Sequence, residues 1–557
     1  MSLYSIGLSG LNTAQVALKT TSNNISNVYT PGHNREITRL SNNGAEAGVK
    51  VVDVERQFNL YVANQLNASL SNTRGLEAYR TEVEQINNLL ADREAGLSPL
   101  MQNFFSSLED LTASPSDPAS RQGVLGTAGT MTAQFRAFDR YLEDMQQGVN
   151  NQIRDEVTQI NNLTQQFAVL NREIALAQAS RGSAPNGLLD QRDQLVKDLN
   201  QRMDIRLNIQ DGDSYNISLP NGQQLVTGTK ATKLAAMDAP NDPRRTLIGY
   251  QDGRSGGVVP LQENLITGGS LGGLMTFRNE TLDKTQNQIG QLAASLVIGF
   301  NDQHRLGRDL NGDQGTDFFS IADPVVYSDD RNSGSASITN AAFDTANVSQ
   351  LRATDYEVLV TDAAAPAFSV IRKDTGETLD AAEVSFADPN GDGTNAILSF
   401  GGVTLTFDDV GELAVNDSFE VQPVRHAAVG MEVLISDTDK IAAGLFADPD
   451  SGPGDNRNAL ALQELQNADL VAGQATLTQA YASIVSDVGN RTNIVQVNLD
   501  ASLGITEQLE ALQQSESGVN LDEEAANLIR FQQFYAANAR VIDTASTIFD
   551  TILGLRN

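Results

Sequence analysis

Apolar and small residues recur every seven positions over residues 3–28. Tyr4, Leu11, Leu18 and Ile25 form one row, and Gly7, Ala14, Thr21 and Val28 the adjoining one. The rest of the segment is mostly Ser, Thr, Asn, Gln and Gly, with Lys19 the only charge before Arg35. This narrow stripe predicts a helix of poor intrinsic propensity, with too small an apolar face to persist alone in water. It should order on association. Thr30 precedes Pro31 and Gly32 follows, so the helix is expected to stop near residues 27–29. The C-terminal segment repeats the device more strongly, with Leu521, Leu528, Tyr535, Ile542 and Phe549 on one row and Phe531, Asn538, Ala545 and Ile552 on the other. Asn538 is the polar member of this seam, a place where a buried amide fixes register or partner number at some cost in stability. One ordinary amphipathic helix would be explained by its own domain; matching stripes at both termini favour association.

Between these segments, residues 58–90, 97–112, 119–179 and 188–203 show helical periodicity with many Asn, Gln and Asp residues, which suggests long, narrow bundles. Ser116-Asp117-Pro118 is a helix-entry signal, and the break at 182–187 precedes the fourth helix. Residues 205–260 alternate apolar and polar positions across turns at Asp211-Gly212 and Asn221-Gly222, predicting a small β unit. An uninterrupted helix is expected over 271–300. Short alternating segments at 356–360, 368–372, 403–407 and 419–421 predict an antiparallel β domain within 320–428. Helices are expected again at 430–445, 456–466 and 475–514, the last roughly 60 Å long at 1.5 Å per residue.

The pattern therefore describes a multidomain α+β protein, elongated, with a terminal α-helical coiled coil and a long-helix bundle carrying inserted antiparallel β domains. The expected division is 1–58 with 515–557 for the terminal helices and 320–428 for a β-rich outer domain. The bundle takes 59–319 with 429–514, including the small β unit at about 205–260. The residues expected at an assembly interface are Tyr4, Leu11, Leu18, Ile25, Leu521, Leu528, Phe531, Tyr535, Asn538, Ile542, Phe549 and Ile552.

Charge narrows the partners. With 38 basic and 70 acidic residues the net charge is −32, which repels phosphate backbones and anionic lipid and argues against nucleic acid and membrane surfaces. Residues 1–10 contain no basic residue, so no cleaved signal peptide is expected, and the apolar run at 292–300 is about half of what spans a bilayer. There is no Cys and no Trp, which removes disulfide and thiolate chemistry.

Candidate chemistry is sparse. Gly253-Arg254-Ser255-Gly256-Gly257 matches a nucleophile elbow in letters, but Val258-Val259-Pro260 promises a strand where that motif needs a helix. His33, His304 and His426 are scattered, without a zinc spacing, and read as surface or turn residues. Asp309, Asn311, Asp313 and Asp388, Asn390, Asp392 resemble halves of calcium loops, yet Ser320 and Ser399 stand where a bidentate Glu belongs. No catalytic residue, metal or cofactor is expected.

Ser22-Asn23-Asn24-Ile25-Ser26-Asn27-Val28-Tyr29-Thr30-Pro31-Gly32 resembles the N-terminal signature of flagellar rod, hook and hook-associated axial proteins. The Thr-Pro-Gly ending, followed by Asn34-Arg35, is more similar to the hook-associated branch than to the hook protein. His33 departs from the Tyr or Phe common there. Gly518-Val519-Asn520-Leu521, Asn527-Leu528-Ile529-Arg530-Phe531 and Tyr535-Ala536-Ala537-Asn538 resemble the matching C-terminal signature, and Asp455-Asn456-Arg457-Asn458 another stretch of the hook-associated type. The resemblance implies a non-catalytic structural subunit at the hook–filament junction of an extracellular bacterial flagellum. Its terminal helices would line the axial tube, and it would leave the cell unfolded through the flagellar type III apparatus. The implied partners are further copies in a helical layer, the hook protein, the second junction protein (hook-associated protein 3) and a cytoplasmic export chaperone that grips the C-terminal helix. The competing readings are a hook or distal-rod subunit and, from another class, a secreted β-rich adhesin or hydrolase on a helical stalk.

Overall fold

A computed structural model describes residues 3–42, 48–92, 96–181, 184–210, 214–253 and 256–554. The chain begins with helix α1 (Leu3–Ser26), followed by an antiparallel hairpin of β1 (Glu36–Asn42) and β2 (Val49–Arg56). Four helices come next: α2 (Leu60–Leu90), α3 (Leu97–Ala113), α4 (Pro118–Arg181) and α5 (Asn186–Arg202). Local chemistry sets their starts. The Asn59 side chain accepts from the backbone N–H groups of Tyr61 and Val62, and Asp117 accepts from Ser120 N–H at 3.2 Å before a proline that needs no donor.

After the β unit come α6 (Gly269–Phe277), a single π turn (Arg278–Leu282) and α7 (Asp283–His304). The return through the bundle is α8 (Arg457–Glu464) and α9 (Leu477–Ser517), the latter opened by a capping box between Thr476 and Gln479. Helix α10 (Leu521–Gly554) closes the chain.

The bundle is built on α2, which packs along α9 on one side and against α6 on another, while α3 lies on α4. Helix α7 runs through its middle, with Leu292, Leu296 and Phe300 fully buried. Phe300 meets Phe104, Phe318 and Phe319 at ring separations of 5.0 to 5.4 Å. The β unit adds a four-stranded and a three-stranded antiparallel sheet over Arg206–Gln251 and Val258–Pro260. A second core fills the space between two four-stranded antiparallel sheets, one ordered Val325–Ser328, Ser418–Gln422, Tyr356–Asp362, Ala367–Arg372 and the other Ile338–Phe343, Val403–Phe407, Ile397–Phe400, Val384–Ala387. The expected multidomain α+β architecture is what the chain adopts.

Four local expectations need correction. Residues 430–445 are not helical. They make two-residue strand pairs with Phe319–Ser320 and Gly307–Arg308 around a 3-10 turn at Thr438–Lys440. The Asp437 side chain takes the Asp439 N–H at 3.0 Å, and Arg121 takes the carbonyls of Thr438 and Ile441 at 2.8 and 2.9 Å, so tertiary partners claim the backbone groups a helix would use. The β1–β2 hairpin was not foreseen. The helix over 271–300 is interrupted by the π turn, where the fully buried Arg278 reaches Glu263 at 2.6 Å and the Thr246 carbonyl at 2.8 Å. Finally, His304 and His426 are buried, not surface residues. His304 donates from Nδ1 to Thr316 O at 2.6 Å and accepts the Ala442 N–H on Nε2 at 3.0 Å; burial pulls its pKa down to about 4.

Asp309 accepts from the N–H groups of Asn311 and Asp313 at 2.8 Å each, and Lys440 Nζ lies 3.0 Å from Asp309 and 2.9 Å from Asp313, so an ammonium stands where a cation would sit. Asp388 likewise closes its own turn onto Gly391 and Gly393. The turn at 252–257 joins two strands of one sheet; Arg254 and Ser255 of that motif, and the Asp211-Gly212 turn, lie outside the described residues.

Candidate assembly surface at the terminal helices

Helices α1 and α10 pack on each other along their length, and α1 does so with its smallest residues. Gly7, Gly10, Ala14 and Ala17 are buried. A Cβ on Gly7 would lie 2.7 Å from Ile542 Cγ1, and one on Gly10 would fall on the Asn538 side-chain oxygen. Asn538 keeps its amide at this crossing by donating to Phe534 O at 2.8 Å. The other side of α1 carries the hairpin, with Thr38 donating to Thr20 at 2.9 Å and the Val49 N–H to Ser9 Oγ at 3.3 Å.

This arrangement divides the heptad rows. Leu11, Leu18 and Ile25 are half-buried, as are Leu528, Phe531, Asn538 and Ile542. Tyr4, Leu521, Tyr535, Phe549 and Ile552 stand in solvent, Phe549 and Ile552 at 62 % and 60 % exposure. Leu8, Ile529, Val541, Ile548 and Leu553 join them and were absent from the rows read in sequence. Their signal was present: Val541 and Ile548 are themselves seven apart, one position off the row. The outcome is a helix pair in which small residues of α1 meet larger ones of α10, Ile542 and Asn538 among them, while several large apolar side chains stay exposed, a patch of the sort that marks an interaction site.

The Asn-rich motif after α1 is a corner, not an exposed contact. Asn24, 1 % exposed, accepts the Glu36 N–H at 2.9 Å and donates to Glu36 O at 2.9 Å and Glu524 Oε2 at 3.2 Å. One amide thus ties α1, β1 and the start of α10 together. Asn23 reaches Glu36 at 3.1 Å, Asn27 returns to Asn23 at 3.0 Å, and Thr30 donates to Asn27 at 3.1 Å. Pro31 and Gly32 turn the chain, and Gly32 takes φ +79°, a conformation a side chain would strain, against Gln194 of α5. Ile25 stays on the helix. Beyond the turn, Arg35 binds Glu524 and Glu523 at 2.8 Å each.

The corner is moored to the bundle by Asp190 of α5. Its carboxylate accepts from Asn34 Nδ2 at 2.7 Å, Asn34 N–H at 3.2 Å and Arg56 at 3.0 Å, while Arg56 also meets Asp193 at 2.6 Å. Burial alone would lower the Arg56 pKa, but the two carboxylates outweigh it and the value is raised; Asp193 is pushed up by burial.

Asp455, Asn456, Arg457 and Asn458 are not brought to this place. They open α8, which packs on α3 and α7. Asp455 accepts from the Leu445 N–H at 3.1 Å and pairs with Arg457 at 2.8 Å; Asn456 donates to Thr112 O at 2.7 Å, and Asn458 to Ala442 O at 2.7 Å. That motif welds the returning chain into the bundle.

A family model described as "Flagellar hook-associated protein FlgK helical domain" matches residues 83–319. Models described as "Flagella basal body rod protein" and "Flagellar basal body rod FlgEFG protein C-terminal" match residues 5–33 and 513–555, which contain α1 and α10. The flagellar hook-associated protein 1 of Escherichia coli K12 is 41 % identical over 565 aligned residues, with all of both chains covered. The chain belongs to the flagellar hook-associated protein 1 family. Membership spans the β-rich sheets at 325–422 as well as the termini, since the Salmonella typhimurium relative is also 41 % identical with both chains fully covered. A solved structure, that of the flagellar hook junction protein FlgK from Burkholderia pseudomallei, superimposes with a TM-score of 0.72 at 27 % identity, covering 81 % of this chain and 100 % of that one. The relatives of this family are structural flagellar proteins, and among the described residues no helix is long and apolar enough to cross a membrane.

Proposed function

We propose that this chain is the structural subunit joining hook to filament in a bacterial flagellum, and that it assembles through the outward apolar face of α1 and α10. The observation that carries the second clause is the exposed row on the terminal helices, with Phe549 at 62 % exposure in a chain of net charge −32. Covering one medium-sized apolar side chain is worth about 1.5 to 3 kcal/mol. Identical copies meeting through different surfaces give an open helical layer, because such contacts need not close. The partners are therefore further copies, the hook protein on one side and hook-associated protein 3 on the other. Export as an unfolded chain, with a cytoplasmic chaperone holding α10 meanwhile, follows the same logic: a helix that leaves much of its apolar surface exposed within its own chain needs a cover before assembly.

The hook or distal-rod alternative draws support from the terminal matches alone, whereas full-length identity favours the junction reading. Deletion in the source bacterium tests it. Cells lacking the chain should build finished hooks and secrete filament protein without attaching it; absence of the hook itself would overturn the junction reading.

A further inference from the structure

Opposite faces of the bundle, at the end nearest the terminal helices, carry a ridge and a groove. The ridge is on α9. At about 100° per residue, Ile494, Ala501, Ile505 and Leu512 fall within about 20° of one line, and Ile494, Ile505 and Leu512 are 58 %, 56 % and 42 % exposed. The face that α9 turns to α2, marked by Val495, Leu499 and Thr506, is about a third of a turn away. Among the described residues none covers the ridge, which runs about 27 Å at 1.5 Å per residue.

The groove lies across the molecule, where the Thr30–Gly32 corner crosses α5 and α4. Two clefts of about 540 and 460 Å³ share Pro31 and Gln194 as a common wall. The second is floored by Val169, Leu170 and Leu195 and has Glu173 as its one charged lining residue. The first holds a buried polar atom without a protein partner: the side chain of His33 is 9 % exposed, and its Nε2 makes no hydrogen bond among the described residues. Ridge and groove stand at one height. Ser502 and Thr506 of α9 bond Thr73 and Ser69 of α2 at 2.7 Å, α2 packs on α5, and Glu510 on the groove side of α9 pairs with Lys197 of α5 at 3.3 Å.

We infer that the occupant of this groove is the α9 ridge of a second copy of the same chain. The ridge is apolar and uncharged, and the second cleft is apolar with Glu173 as its one charge, while Asp193, Lys197 and Glu510 line the first; set on opposite faces at the same height, ridge and second cleft let each copy accept one neighbour while offering its ridge to the next. The contact is heterologous, so it repeats without closing on a pair. Between two chains of net charge −32, a contact must use such patches, because most of the remaining surface repels. The incoming helix brings the amides of Asn498 and Gln508 beside the ridge. This deepens, and rests on, the reading of the chain as an assembling subunit.

The chain has no cysteine, so a Gln166→Cys, Ile505→Cys double variant places one thiol on the groove wall and one on the ridge. In oxidised flagella isolated from cells making this variant, a ladder of dimers and higher multimers is expected. Each single variant should leave monomer. Monomer alone from the double variant, at wild-type abundance in the flagella, overturns the inference, as does an equally strong dimer from Ile505→Cys alone. If the thiol pair does not reach the flagellum, Ile505→Asp decides: a full-length protein melting within a degree or two of wild type, yet retained at the junction at least tenfold less, supports the contact. Normal retention of Ile505→Asp overturns it. Phe549→Asp separates the two levels, since its loss of retention beside a normal Ile505→Asp leaves the assembly reading standing and removes only this contact.

Discussion

Gly10 of α1 and Asn538 of α10 meet across the terminal helix pair so closely that a single methyl group on Gly10 would clash with the Asn538 side-chain amide. The pairing of the chain's two ends therefore depends on the absence of a side chain at one place and on an amide at the other. Their separation in sequence makes this a long-range contact that must offset the entropy of closing a long loop.

Gly10→Leu should separate the pair. Overpacking costs typically 1 to 3 kcal/mol, and the face buried by α1 has few large residues to offset it. Amide exchange over 3–26 should accelerate by more than tenfold while α2 and α9 keep wild-type protection. Unchanged exchange in α1 would mean that the pair is held elsewhere.

Phe549→Asp acts in the opposite way. The residue is 62 % exposed, so the free monomer should keep its stability within about 0.5 kcal/mol. Attachment of filament should nevertheless fail, which swarming and electron microscopy of the cells would report. A variant that melts early would indicate that the monomer itself uses this side chain.

Asp190→Asn removes the charge that holds Arg56, in a pair whose side chains are 8 % and 10 % exposed. Breaking a buried pair by removing one partner costs about 3 to 5 kcal/mol; the remaining Asp193 contact at 2.6 Å should bring the loss to the lower end. The loss should appear in the joint between terminal helices and bundle, as faster exchange over 32–56, with the 325–422 sheets unaffected. Small-angle scattering should show a broader distribution of end-to-end distances.

Acid should weaken the bundle through His304 and His426. Burial lowers their pKa values from 6.5 to about 4 and about 3. The folded state then binds fewer protons than the unfolded one, so stability is full above 6.5 and falls as pH drops through 6.5 toward those values. The His304 contribution alone is on the order of 3 kcal/mol. Glu420 works against this: burial raises it to about 7 from 4.5 despite Lys373 at 2.7 Å, so its contribution to stability improves as pH falls from 7 toward 4.5. Urea melts between pH 7 and 4.5 should thus fall more steeply for Glu420→Gln than for wild type. A parallel pair of curves would remove Glu420 from the account.

The sequence was informative wherever a pattern is enforced by local geometry. Heptad rows, proline and glycine stops, Asn and Asp caps and period-two strands placed eight of the ten α helices of the described residues to within a few residues, together with the β-rich middle, because these signals act over one or two turns of chain. The misreadings share a cause. At 430–445 an apparently helical run has its backbone groups taken by Arg121 and His304 from distant elements, and at Arg278 the helix widens to serve Glu263. No window of neighbouring residues contains those partners.

The same division applies to the surface. Periodicity alone determined that both termini are amphipathic helices with more apolar surface than they can hide, since spacing decides which side chains share a face. Which row is covered and which is left open was decided only when α1 met α10. There the glycines of α1 let Ile542 and Asn538 of α10 come close, and the large side chains of Tyr4, Tyr535, Phe549 and Ile552 are left exposed.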